Sequence, residues 1–189
     1  MWKRNGQATM MKITKIKVVF YKSNYRWWSR LIKWWTNSNY SHCELYINDR
    51  YLLGISDEQQ VRIKRYDLSP KKWDSIELRI DDRLEWIVND FFEQTQGAKY
   101  DWKAIILSNI FNRRKQDKTK YTCSEWISEL LDLRYNIFQP KRYYMLTPQD
   151  VYDVFKKMTS QNKRGWKFQG IGNSLYLFLL KINYTLILH

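Results

Sequence analysis

With 189 residues, of which 44% are hydrophobic and 17% aromatic, the chain is long enough to bury the core of one domain. Six Gly and three Pro argue against a disordered or linker-rich chain, and two Cys exclude a scaffold held by several disulfides. The 33 Lys and Arg against 19 Asp and Glu give a formal charge of +14, which indicates either an anionic neighbour (nucleic acid, cell-wall polymer or lipid headgroups) or merely an AT-rich genome, and the even spread of charge slightly favours the latter.

The sequence predicts no metal site, no cofactor and no membrane span. Cys43, Cys123, His42 and the terminal His189 lack the spacing of metal ligands. No apolar segment of a signal peptide is visible at the N-terminus, and the most apolar run, 175–188, is too short and too polar to cross a bilayer. The expected location is therefore cytoplasmic or virion-associated.

In chain order, a loose leader over residues 1–11 precedes a single domain over 12–158, and residues 159–189 form an extension that packs on this domain. The predicted strands are 12–21, 41–47, 51–55, 61–66 and 75–80. The predicted helices are 25–36, 84–94, 101–111, 123–133 and 147–158. Charged or polar loops are expected at 112–120 and 160–173, and the pattern of 174–189 fits a strand pair or a short helix equally well.

The predicted helix 25–36 carries four tryptophans, Trp27, Trp28, Trp34 and Trp35, beside basic residues. Such an aromatic face is typical of one wall of a core, which is the interpretation we favour. The same residues are also suited to contact a membrane surface or a glycan.

The strand 41–47 contains the only histidine inside the predicted domain. Alternation places Cys43 on an apolar face that is expected to be buried, so that Cys43 is predicted to be inert. It places His42 and Glu44 together on the opposite face. A register slip by one residue would reverse the two faces.

The helix from Cys123 opens with a capping box. Thr122 is a favoured N-cap residue, and Glu125 stands three positions later, so each side chain is expected to bond the other's backbone N–H. Cys123 then lies at the positive end of the helix dipole, which favours the thiolate. The alternative is a small apolar residue packed under the helix, and this stretch alone does not separate the two interpretations.

A nucleophilic cysteine needs a nearby base, and His42 is the imidazole available to Cys123. Glu44, two positions along the same strand face, is within reach of the second ring nitrogen of His42. The backbone N–H of Cys123 is a natural oxyanion donor. Taken singly, His42 is more typical of a hydrogen-bonded strand histidine and Glu44 of a surface carboxylate, so it is the combination that favours catalysis.

These motifs, in this order, resemble the circularly permuted branch of the NlpC papain-like superfamily, which includes YiiX-like proteins and, more distantly, lecithin retinol acyltransferase-like enzymes. The matching segments, which span roughly residues 12–158, are RWWSRLIKWWTNSNYSH with SHCELYI, then GAKYDW, YTCSEWISELL and LTPQDVYD. The resemblance implies an α+β fold in which an antiparallel sheet packs against the nucleophile helix.

Carried over by motif, the resemblance makes Cys123 the nucleophile, His42 the base and Glu44 the acidic residue of the His-x-Glu pattern. Tyr100 matches a tyrosine that lines the oxyanion region, and Ser124 is expected to line the same region. The strand after the histidine, 51–56, lacks the second histidine of the acyltransferase branch, which argues against that branch.

The implied reaction is hydrolysis of an amide bond in a peptide, isopeptide or cell-wall peptide through a thioester, and a bacterial or phage source would suit it. Two alternatives stay open. One is a catalytically idle basic protein that binds nucleic acid or belongs to a virion, in keeping with the +14 charge. The other is hydrolysis or transfer of lipid esters.

Overall fold

The computed structural model describes residues 3–4, 7–8, 10–24, 29–30, 33–34, 37–56, 60–101, 119–138 and 142–162. The chain divides into two compact units, Met1–Phe155 and Lys156–His189. The predicted helix 101–111 (apart from its first residue), most of the loop 112–120, most of the helix 25–36 and the segment 174–189 lie outside the described residues.

One five-stranded antiparallel sheet organises the first unit. Its strands are β3 (Ile16–Tyr21), β4 (His42–Ile47), β5 (Tyr51–Gly54), β6 (Arg62–Arg65) and β7 (Trp73–Leu78), in the spatial order β6-β5-β4-β3-β7. All five predicted strands are therefore confirmed, although the first begins only at Ile16 and the last is shifted two residues towards the N-terminus. The leader also contains a short antiparallel pair, β1 (Lys3–Arg4) and β2 (Gln7–Ala8), which its polar sequence did not predict.

The hairpin between β4 and β5 fixes the register that the site depends on. Its turn residues Asn48 and Asp49 both have positive φ, 53° and 48°, a conformation that Asn and Asp tolerate. The Arg50 N–H donates to the Ile47 carbonyl at 3.1 Å and closes the turn. Leu45 consequently pairs with Leu53.

Three helices are described: α1 (Asp82–Thr95), α2 (Cys123–Tyr135) and α3 (Pro148–Asn162). Between α1 and α2, β8 (Lys99–Tyr100) pairs in parallel with β9 (Lys120–Tyr121), and a 3-10 turn (Tyr143–Met145) precedes α3. Helix α2 packs against β4, β5, α1 and the 3-10 turn. The predicted α+β class and the antiparallel sheet against the cysteine helix are therefore observed.

The core extends over both faces of the sheet. β4 is covered on both sides, since Cys43, Glu44 and Tyr46 are all no more than 5% exposed. Two predictions are wrong in detail: α3 continues through Asn162, where a loop was expected from residue 160, and Trp34 is 76% exposed rather than part of a core wall. Among the helices of the described segments, none is long and apolar enough to cross a membrane.

Candidate active site

The N-terminus of α2 holds Cys123 in a fixed position. The Glu125 N–H donates to Thr122 Oγ1 at 3.3 Å, and the Thr122 N–H donates to Glu125 Oε2 at 3.3 Å, so the predicted capping box is formed. Cys123 is the first residue of the helix, and its own N–H points out of the helix end, where no helical carbonyl can accept it. The thiol therefore lies at the positive end of the helix dipole, with the backbone N–H of Cys123 beside it as a hydrogen-bond donor.

The beginning of strand β4 supplies the imidazole and the carboxylate. His42 opens the strand, and Glu44 projects from the same face two residues later. The Nε2 atom of His42 lies 2.7 Å from Glu44 Oε1. Glu44 thus orients the ring as the alternation in the sequence predicted.

The histidine ring and the cysteine sulfur meet in the structure. The two side chains are close enough that the charge of each shifts the pKa of the other, and because Nε2 is engaged by Glu44, Nδ1 is the nitrogen left for the sulfur. The ring of Trp73 packs against the imidazole at a steep angle, with its centroid 6.3 Å from that of His42. Cys123 and Glu44 are 4% and 2% exposed, so the pair is screened from bulk water.

The charges of these groups stabilise one another. A hydrogen bond from the Cys43 thiol and the charge of His42 together hold the pKa of Cys123 well below its usual value, against the effect of burial. Burial alone would lower the pKa of His42, but the Cys123 and Glu44 charges raise it to about 10. Burial would raise the pKa of Glu44, but His42 and Arg62 lower it to about 2. A thiolate–imidazolium pair with an ionised carboxylate is the state that these interactions favour.

Cys43 is buried as predicted, and it also interacts with Cys123. Its thiol and its backbone N–H both lower the pKa of Cys123, and burial raises the pKa of Cys43 itself, so that its thiol stays protonated. Alternation assigned Cys43 to a buried face of β4, and α2 packs against β4. The sequence carries no signal that distinguishes a core cysteine from one beneath a nucleophile.

Arg62 of β6 is a second residue that sequence analysis missed. Its Nη1 lies 2.6 Å from Glu44 Oε2, and its Nη2 lies 3.1 Å from Glu44 Oε1. Nη1 also donates to the carbonyl of Gly54 at 3.1 Å. Finding Arg62 would have required the register of both β4–β5 and β5–β6, which the strand patterns alone do not define.

The two residues expected to line the oxyanion region occupy different environments. Tyr100 of β8 pairs with Tyr121, two residues before Cys123, and is partly exposed. Ser124 is buried, and its Oγ donates to the Leu146 carbonyl at 2.5 Å. That bond ties the start of α2 to the segment leading into α3, so Ser124 has a structural partner in this state.

Within the described residues, no group of three or more His, Cys, Asp or Glu side chains is arranged to hold a metal ion. The fold brings Cys123, His42 and Glu44 together, as expected from the sequence, and Arg62 and Cys43 belong to the same cluster. Comparison of the chain with protein-family models, with curated proteins and with solved structures gave no match.

Proposed function

We propose that the protein is a cysteine hydrolase that cleaves an amide bond, in a peptide or isopeptide, through a thioester acyl-enzyme. The observation that carries this proposal is the series Cys123–His42–Glu44, in which Glu44 hydrogen-bonds His42 and the charges of His42 and Cys123 shift each other's pKa. Each member has a partner of the kind that nucleophile, base and orienting group require. The proposal extends to the fold, for which a permuted papain-like arrangement over residues 12–158 agrees with the motif order.

In the first half of the reaction, the Cys123 thiolate attacks the carbonyl carbon of the substrate. The negative charge passes to the carbonyl oxygen, where the Cys123 N–H is placed to donate a hydrogen bond. His42 then gives its Nδ1 proton to the leaving nitrogen as the C–N bond breaks. An amine departs, and the acyl group remains on the sulfur as a thioester.

In the second half, the neutral His42 ring takes a proton from water. The resulting hydroxide attacks the thioester carbon, and the C–S bond breaks to release a carboxylic acid. The sulfur leaves as thiolate and the ring is again imidazolium, so the starting state is restored. Glu44 keeps its hydrogen bond to Nε2 throughout and stabilises the imidazolium form.

The proposal is tested with the wild-type protein, Cys123→Ala and Cys123→Ser on matched peptide anilides and acyl esters that carry the same acyl group. Iodoacetamide, a small reagent suited to a residue that is 4% exposed, reports the reactivity of Cys123. We expect hydrolysis and a mass increment equal to the acyl group on Cys123, and both should vanish in the two variants. Alkylation of Cys123 at neutral pH should be faster than that of a free thiol.

Two results would remove the proposal. One is alkylation of Cys123 no faster than that of a free thiol, and the other is hydrolysis that survives in Cys123→Ala. Cleavage of the esters but not of the anilides would favour a lipid ester hydrolase. DNA binding that falls steeply with salt, is unchanged in Cys123→Ala and comes without any hydrolysis would favour a basic binding protein.

A further inference from the structure

Three neighbouring strands present Arg62, Gly54 and Glu44 in one row across the sheet. Arg62 of β6 pairs directly with Gly54 of β5, and the register of β5 on β4 continues this row to Glu44. A Cβ atom at Gly54 would lie 3.2 Å from Glu44 Cγ and 3.4 Å from Glu44 Cβ. The missing side chain at position 54 therefore leaves the space in which Glu44 lies against the strand.

Arg62 holds the carboxylate of Glu44 at both oxygens. Nη1 bonds Oε2 and Nη2 bonds Oε1, while Oε1 also accepts from Nε2 of His42. The third bond of the guanidinium, to the Gly54 carbonyl, fixes the Arg62 side chain itself. A carboxylate held by a planar two-donor group cannot rotate away from the imidazole without breaking a charge-assisted bond.

We propose that Arg62 is a positioning residue of this site, which holds the Glu44 carboxylate against His42 so that the ring keeps its orientation towards Cys123. The inference rests on the proposed function for its catalytic meaning, but the contacts that support it do not depend on turnover. Its bonds to both oxygens of Glu44 place Arg62 beside the carboxylate, and it acts on the imidazole through Glu44.

The charge of Arg62 also has a role that His42 cannot fill. In the proposed reaction the imidazolium loses its proton once in every cycle, and Glu44 is then left with a neutral ring as its partner. A carboxylate with a side chain only 3% exposed is costly to bury without an opposite charge. Arg62 stays charged at every step, so Glu44 remains ionised while His42 does not.

The test compares Arg62→Met, which removes the donors and the charge, with Arg62→Lys, which keeps the charge but not the two-point geometry. Arg65→Met is the matched control, because Arg65 lies on the same strand and is exposed. The titration of the Glu44 carboxyl is followed by NMR with carbon-13 glutamate, assigned with Glu44→Gln. The rate of iodoacetamide alkylation of Cys123 at pH 6 reports the thiolate.

In Arg62→Met we expect the pKa of Glu44 to rise by roughly 1–3 pH units, which is the range for losing an adjacent opposite charge. Alkylation of Cys123 at pH 6 should slow by up to about tenfold for each pH unit by which the apparent pKa of the thiol rises. Arg62→Lys should restore most of the ionisation of Glu44 and part of the alkylation rate. Arg65→Met should match the wild type in both measurements.

A double-variant cycle separates positioning from a general effect on stability. If Arg62 acts through Glu44, Arg62→Met should change the alkylation rate little in a Glu44→Gln background. Full additivity of the two changes, or an unchanged Glu44 titration in folded Arg62→Met, would overturn the inference. Failure of the wild type to hydrolyse any acyl substrate would remove the proposed function but leave the carboxyl titration to decide on Arg62.

Discussion

At the scale of single residues, Cys43 shows how a buried side chain can set the chemistry of its neighbour. The Cys43 thiol lowers the pKa of Cys123, together with the charge of His42. Burial keeps Cys43 protonated and therefore able to donate. The Cys43 thiol and the His42 imidazolium therefore both favour the thiolate of Cys123.

We predict that Cys43→Ala raises the pKa of Cys123 and slows its alkylation by iodoacetamide below neutral pH. The reason is the loss of the side-chain donor, while the backbone N–H of residue 43 remains in place. The ultraviolet absorbance of the thiolate, followed against pH, measures the change directly. Cys43→Ser retains a donor of similar size, so it should lie closer to the wild type than Cys43→Ala; the opposite order would contradict this account.

The sequence predicted the identities of the catalytic candidates but only part of their surroundings. Cys123, His42 and Glu44 were predictable because each belongs to a local pattern, either a helix start or an alternating strand. Arg62 and Cys43 were not, because their roles depend on which strands are neighbours and on which face α2 covers. Contacts between distant elements leave no periodicity in the chain.

At the scale of elements, α2 and α3 begin with the same type of capping motif, but only the start of α2 lies at the candidate site. Thr122 and Glu125 cap α2, and Thr147 and Asp150 cap α3 through bonds from the Thr147 N–H and hydroxyl to Asp150 Oδ2 at 2.8 and 2.7 Å. The sequence predicted a helix start at both places. Only the first carries a candidate nucleophile, so the second provides an internal control.

We predict that Thr122→Ala and Thr147→Ala each lower the free energy of unfolding by about 1 kcal/mol, the usual cost of losing an N-cap. Only Thr122→Ala should also slow alkylation of Cys123, because the cap fixes the helix end from which the sulfur projects. Urea unfolding measures the first effect, and the alkylation rate at pH 6 measures the second. Equal alkylation rates in the two variants would show that the cap does not position Cys123.

The elements also show where prediction from sequence stops. Strand alternation located all five strands within a few residues, and helix starts were accurate because caps are local. The expected end of α3 was wrong because Ser160 was taken for a loop residue, yet the helix continues to Asn162. Burial of Glu44 was not foreseen either, because alternation does not say whether a second layer covers the polar face of a sheet.

At the scale of the whole molecule, the ion pair should leave a signature in how stability depends on pH. The ion pair joins Cys123 and His42, which lie on segments that are distant in the sequence and meet only in the folded chain. The pair therefore exists only in the folded state. The ordinary pKa is 6.5 for His and 9.0 for Cys. Between these two pH values, the unfolded chain therefore carries a neutral imidazole and a thiol, whereas the folded chain carries an imidazolium and a thiolate. Both states then hold the same number of protons.

The sign for each group follows from its pKa. The raised pKa of His42, about 10, gives stability that is complete below pH 6.5 and is lost as the pH rises through 10. The lowered pKa of Cys123 gives stability that is complete above pH 9 and is lost as the pH falls. Between 6.5 and 9 the two slopes cancel. The lowered pKa of Glu44, about 2, adds stability that is lost between pH 4.5 and 2.

We therefore predict that the free energy of unfolding of the reduced protein is flat from pH 6.5 to 9, falls above 9, and falls below 6.5 as acid removes the contribution of the Cys123 thiolate. The slope below pH 6.5 should be at most about 1.4 kcal/mol per pH unit, the slope for one proton, because Cys123 is there the group in this cluster whose protonation differs between the folded and unfolded states. Urea unfolding at intervals of half a pH unit measures the curve. In Cys123→Ala the slope just below pH 6.5 should vanish, and a slope that persists in that variant would show that the thiolate is not its source.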